Sequence, residues 1–153
     1  MNSVFNTTFE ISLRTLIMLE IADEQPETAD MIAAADFITV YGKDFGVSKI
    51  NLHGNNSYKF SEFAQFRELV NMAVKLLVKK GLINVSRTNN GFSYSINQRG
   101  LSYCARLKSD YADTYRCLAI QTRKYIADRS EAGVFKLINQ HAISSLKRRA
   151  VND

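Results

Sequence analysis

"LINVSRTNNGFSYSI", residues 82–96, is the stretch on which the fold turns. Two short segments of alternating apolar and polar residues flank Asn89-Asn90-Gly91, residues that tolerate positive φ, and the combination predicts a β-hairpin. Gly81, just ahead of it, is a helix stop signal. Upstream of that glycine, Phe63, Phe66, Val70, Ala73 and Leu77 repeat at three and four, which predicts a helix from a cap at Ser61 to Lys80. Before it, Thr28 caps a helix reaching Tyr41, with Met31, Ile32, Ala35 and Ile38 inward and Gly42 closing it. A first helix over 7–22 follows from the capping-box spacing of Thr7 and Glu10 and from the periodic Phe9, Leu13, Leu16, Ile17 and Ile21.

Downstream, Asn97 caps a periodic stretch from Gln98 to Ala127 that reads as one long helix. Ser130 opens a last helix striped by Phe135, Ile138, Ala142 and Leu146, ending in the basic "LKRRAVND". Three helices, a hairpin and a further helix is the order of a winged helix-turn-helix, with the hairpin as the wing. The expected fold is mainly α (α+β): a winged-helix part over 1–97, with an insertion at 42–60, and a C-terminal helical extension over 98–153 in the same structural unit. The extension exceeds what closes the core, so its apolar stripe is expected to meet a partner or a second copy.

With 153 residues and 46% hydrophobic content the chain can bury a core. The longest apolar run, Ile11 to Ile21, is broken by Arg14 and Glu20, so neither secretion nor a membrane partner is expected. Cys104 and Cys117, thirteen residues apart in the expected long helix, would sit roughly 20 Å apart along its axis. Two thiols that cannot bridge fit a cytoplasmic location. Charge is uneven: residues 1–60 carry four Lys or Arg against eight Asp or Glu, a net of −4, whereas 61–153 carry sixteen against seven, a net of +9. The basic half suits phosphate, an acidic protein, or the acidic half of a second copy.

For nucleic acid the candidate contacts are Gln65, Asn71, Lys75 and Lys79 on the third helix and Arg87 on the wing. Glu62 and Glu68 lie in the helix half that reads bases, where their sign is wrong for phosphate, and a solvated face explains the same residues. Enzyme chemistry is not expected. His53 and His141 lack any adjacent ligand pattern, no phosphate-binding glycine loop or nucleophile elbow occurs, and no cofactor or metal is implied.

Between the second and third helices lies "YGKDFGVSKINLHGNNSYKFSEF", residues 41–63, which has no period of its own. Its apolar anchors, Tyr41, Phe45, Val47, Ile50, Leu52, Tyr58 and Phe60, predict an ordered loop, and ordered loops of this length are commonly functional. Tyr41, Lys43, Asp44, Phe45, His53, Asn55 and Tyr58 are therefore candidate partner-binding residues; His53 equally suits a structural hydrogen bond.

The segments "FNTTFEISLRTLIMLE", "DFITVYGKDFG", "NLHGNNSYKFSEF", "KLLVKKGLINV" and "GFSYSINQRG" together resemble a middle component of bacterial ABC-three-component systems, over residues 5–127. Residues 130–153 carry no such resemblance and are read from their own pattern. The resemblance implies a small non-enzymatic subunit beside an ABC-type ATPase, related to structural-maintenance-of-chromosomes proteins, and a separate effector. Lamassu defence against phages or plasmids is among such systems. Its implied role is an adaptor joining ATPase to effector, with DNA met through the complex. The alternative is a dimeric winged-helix DNA-binding transcriptional regulator.

Overall fold

The computed structural model describes residues 6–23, 25–55, 58–89 and 91–152, with the side chains at 149, 151 and 152 excepted. The first helix, α1 (Thr8–Ala22), starts where the sequence places it, with Thr7 Oγ1 accepting from the Glu10 amide at 3.2 Å. Thr28 does the same for α2 (Ala29–Val40), accepting from Met31 at 3.1 Å.

Every residue of α2 from Ile32 to Val40 is buried. A helix buried on every side lies inside a fold, and its polar members Asp36 and Thr39 are hydrogen-bonded there. Ala33, Ala34 and Ala35 make this feasible by letting α1, α3 (Phe63–Lys79), α5 (Asp110–Ile126) and α6 (Glu131–Asn152) pack around it.

The third helix starts two residues later than its expected cap. Lys59–Glu62 form a 3₁₀ turn, and the Ser61 hydroxyl donates back to the Tyr58 carbonyl at 2.7 Å instead of capping α3. Short hydroxyl side chains compete for local backbone groups in this way. At its other end α3 closes as the glycine dictates. Gly81 has φ +76°, its amide donates to Val78 and the Leu82 amide to Leu77, both at 3.0 Å, the paired bonds of a Schellman ending.

The hairpin forms from β1 (Ile83–Thr88) and β2 (Gly91–Ile96), antiparallel, in register from Ile83 opposite Ile96 to Thr88 opposite Gly91. An isolated antiparallel bridge ties it to the α1–α2 connection, Glu27 and Tyr94 exchanging backbone bonds of 2.9 and 2.8 Å.

The expected long helix is two. The first, α4 (Gln98–Ala105), is capped by Asn97, whose Oδ1 accepts from Gly100 at 2.9 Å; α5 begins afresh after Ser109, whose hydroxyl accepts from Ala112 at 3.1 Å. The apolar period runs on across the break, and neither Gly nor Pro marks it. The axial separation expected for the cysteines therefore does not apply. Cys104 is buried in α4, Cys117 is exposed on α5, and both are free thiols. A Cβ on Gly100 would lie 2.2 Å from the Leu82 carbonyl oxygen, so only glycine lets α4 start against the α3–β1 turn.

Ser130 caps α6, accepting from Gly133 at 3.0 Å, and the Thr28 hydroxyl donates to Glu131. Val134, Leu137 and Ile138 are buried in the same core cluster as α1, α2 and α5. Beyond Ile138 the helix runs on with Ile143 54% and Leu146 61% exposed. The extension thus commits most of its apolar face inward, through Ala112, Tyr115, Ala119 and Ile126 of α5, and leaves Ile120 of α5 exposed together with Ile143 and Leu146 on the second half of α6. Among the described residues no helix is long and apolar enough to cross a membrane.

Candidate functional site

The connection between α2 and α3 is tied down by its own backbone. Asp44 donates to the Tyr41 carbonyl at 3.0 Å, Val47 to Gly42 at 2.8 Å, and Leu52 to Val40 at 2.9 Å. Asn51 pins it from the side, accepting from the Lys43 amide at 3.0 Å and donating to Asp44 Oδ2 at 2.7 Å. A Cβ on Gly42 would meet Ser48 Oγ at 2.3 Å, so a larger residue there must displace the Ser48 hydroxyl from its bond to the Ile50 carbonyl.

Aromatic rings fix this segment to the core. Phe37 of α2 lies 5.2 Å from Tyr41, 6.1 Å from Phe45, 5.8 Å from Phe60, 5.1 Å from Phe63 and 5.3 Å from Phe66, centroid to centroid. Lys59 extends over the Tyr41 and Phe60 rings to reach Asp44 Oδ1 at 3.4 Å, and Tyr41 donates its hydroxyl proton to Glu62 at 3.0 Å. Phe45 also meets His141 of α6, with ring centroids 4.6 Å apart.

The far end of the segment closes on a buried polar network. Arg14 of α1, 1% exposed, binds Asp36 of α2, 2% exposed, through two nitrogens at 2.9 and 3.1 Å. Tyr115 of α5 donates to the same carboxylate at 2.6 Å, and Asn6 accepts from Arg14 at 3.1 Å. Another Arg14 nitrogen lies 3.4 Å from the Tyr111 hydroxyl, which in turn lies 2.8 Å from His53 Nε2. Arginine can only donate, so the Tyr111 oxygen accepts from Arg14, and the direction of its bond with His53 is set by the imidazole's tautomer.

Burial, and then the nearby Arg14 charge, pull His53 down to about 4. Burial foremost, then the Asp36 charge, pushes Tyr115 well above the usual phenol range. Burial works against the Arg14 charge, but Asp36 outweighs it and holds the guanidinium protonated. In the unfolded chain His53 titrates near 6.5, so on acidification the unfolded state takes up the proton first. The stability this residue contributes is therefore present above pH 6.5 and lost as the pH falls toward 4, by at most about 3 kcal/mol. Urea unfolding at pH 7 and pH 4.5 is expected to show a smaller loss in His53→Gln than in the parent chain.

Of the candidate partner residues, Tyr41 and Phe45 are only 3% and 4% exposed, inside the chain's own core. Asp44 and His53 are half-buried in the contacts above, and Lys43, Asn55 and Tyr58 face solvent. Gln65, Asn71, Lys75 and Lys79 are exposed on α3, as is Arg87 on β1. Of the apolar stripe expected to meet a partner, Ile138 is buried and Leu146 is exposed, while Ile143 was not singled out on α6. An open groove of about 650 Å³ runs between it and the α2–α3 side, bordered by Asp30, Arg67, Phe135, Asn139 and Ile143. Arg67 pairs with Asp30 at 3.0 Å while its guanidinium lies 5.2 Å from the Phe135 ring centre. The signal for this surface was the apolar spacing of Phe135, Ile143 and Leu146 outside the buried set. Among the described residues no three His, Cys, Asp or Glu side chains gather as around a metal ion.

Comparison with known proteins places the chain among the components of ABC-three-component systems. The family described as ABC-three component (ABC-3C) system Middle Component 2 matches residues 4–148, and the chain belongs to it. That match takes in most of α6, beyond the span over which the sequence segments alone carry a resemblance. No curated protein and no solved structure matches.

Proposed function

We propose that this chain is a non-catalytic adaptor that joins an SMC-like ABC ATPase to an effector in a bacterial defence complex of the Lamassu kind, acting against phages or plasmids in the cytoplasm. Membership of the Middle Component 2 family supports association with the other components of such a system. The observation that carries the adaptor reading is the second half of α6, where Ile143 and Leu146 stand exposed in line with the groove. A helix built only to close a core would end near Ile138. The insertion adds Lys43, Asn55 and Tyr58 as surface contacts; its remaining residues hold the shape that presents them.

The winged-helix reading of the framework is supported by the order of three helices and a hairpin, and by the Glu27–Tyr94 bridge, which adds a third backbone line beside the wing. The test is co-expression with the ATPase and effector encoded beside it, followed by affinity capture. All three chains are expected to co-purify, and Ile143→Asp/Leu146→Asp is expected to lower recovery at least ten-fold while shifting stability by only about 0.5 kcal/mol. A chain recovered alone at micromolar concentration would overturn the reading.

A further inference from the structure

Five cations among the described residues are matched with carboxylates from elsewhere in the chain: Arg14 with Asp36, Lys59 with Asp44, Arg67 with Asp30, Arg116 with Glu20 and Arg123 with Glu27. Lys80, Arg99 and Arg106 share with Lys75, Lys79 and other exposed cations the lack of such a partner among the described residues, and are distinguished by lying together. They converge on an open groove of about 490 Å³ between the end of α3 and the outer side of α4, and no carboxylate lines it. Among the described residues none of the three has an ion-pair partner. Arg99 and Arg106 are exposed; the Arg99 guanidinium lies beside the α3–β1 turn, where a Cβ on Gly81 would come within 2.9 Å of it, and the Arg106 guanidinium sits 5.9 Å from the Tyr103 ring centre.

We infer that this groove binds the sugar-phosphate backbone of nucleic acid without reading its bases. Guanidinium groups pair with phosphate through parallel hydrogen bonds, and Gln98 and Ser102, on the same wall, supply further donors. The positive surface continues from Lys80 to the exposed Lys79 and Lys75 on α3, an extended array suited to a polyanion that repeats its charge every few Å. An acidic peptide fits less well, because the apolar residues of the groove, Leu82 and Tyr103, are already half-buried and offer little for a peptide side chain to cover. This site lies on α3 and α4, apart from the α6 surface of the adaptor reading.

The experiment is fluorescence anisotropy of the full chain with a labelled 20-base-pair duplex, its single strand, and polyglutamate, between 50 and 200 mM salt. Nucleic acid of either form is expected to bind without sequence preference and more tightly than polyglutamate. Arg99→Gln/Arg106→Gln is expected to weaken it about ten-fold or more, and to reduce the slope of log affinity against log salt by about two. Lys124→Gln/Arg129→Gln removes the same charge from α5 and the turn after it, and is expected to change affinity less than two-fold. Circular dichroism melts establish that both variants fold. Absence of nucleic-acid binding, equal losses in the two double variants, or polyglutamate binding as tightly would each overturn the inference. Co-purification through α6 is read separately, so either proposal can fail without the other.

Discussion

Arg14→Ala is expected to destabilise the chain by about 3–5 kcal/mol, a large part of the roughly 5–15 kcal/mol that holds a typical domain together. The substitution removes both bonds to Asp36 and the contacts to Asn6 and Tyr111, leaving a carboxylate that is 2% exposed and, among the described residues, keeps the Tyr115 hydroxyl as its donor. The cost comes from that stranded charge more than from the lost attraction. Arg14→Met/Asp36→Leu, which removes both charges, is therefore expected to be less damaging than the sum of its single variants. Chemical denaturation of the four chains measures the coupling; strict additivity would mean that the two residues do not act as a pair.

Phe37→Ala is expected to cost a further about 3–5 kcal/mol, measured alone against the parent. It empties the centre of a cluster of six rings from α2, the following connection and α3. The damage is also expected to be directional. Tyr41, Phe45 and Phe60 lose the ring they share, so limited trypsin digestion should cut after Lys43 and Lys49 in the variant well before it cuts the parent. Phe92→Ala, at a phenylalanine 59% exposed on the hairpin, is expected to move stability by only about 0.5 kcal/mol and leave the digestion pattern unchanged.

What the sequence revealed was chemistry completed within a few residues. The caps at Thr7, Thr28, Asn97 and Ser130 each depend on a donor close by, and they and the hairpin strands stand where they were expected; Asn90 of the expected turn lies outside the described residues. The break between α4 and α5 is local as well, but Ser109 competes there with an apolar period that does not falter, and the period dominated the reading. The enclosure of α2 depends on four other helices, and its alanines carry no sign of how many neighbours they admit. Arg14 read as an interruption of an apolar run because its partner lies 22 residues away on another helix.

The candidate site divides along the same line. Glycines and aromatics indicated an ordered segment between α2 and α3, and His53 does make a hydrogen bond of the structural kind. Which face each aromatic would take depends on Phe37 and on α6, outside the segment itself, so Tyr41 and Phe45 could not be told from Tyr58 by residue type. The groove of Lys80, Arg99 and Arg106 was hidden for a similar reason, its cations being split between two helices with a hairpin between them.

His141 sits on α6 between the part of the helix sunk in the core and the part standing free, with its ring against Phe45. Leu146 is five residues further on, about 7.5 Å along the axis, and over that span an α-helix behaves as a stiff rod. The exposed end of α6 and the segment that follows α2 are therefore joined through a ring contact less than two helical turns from Leu146.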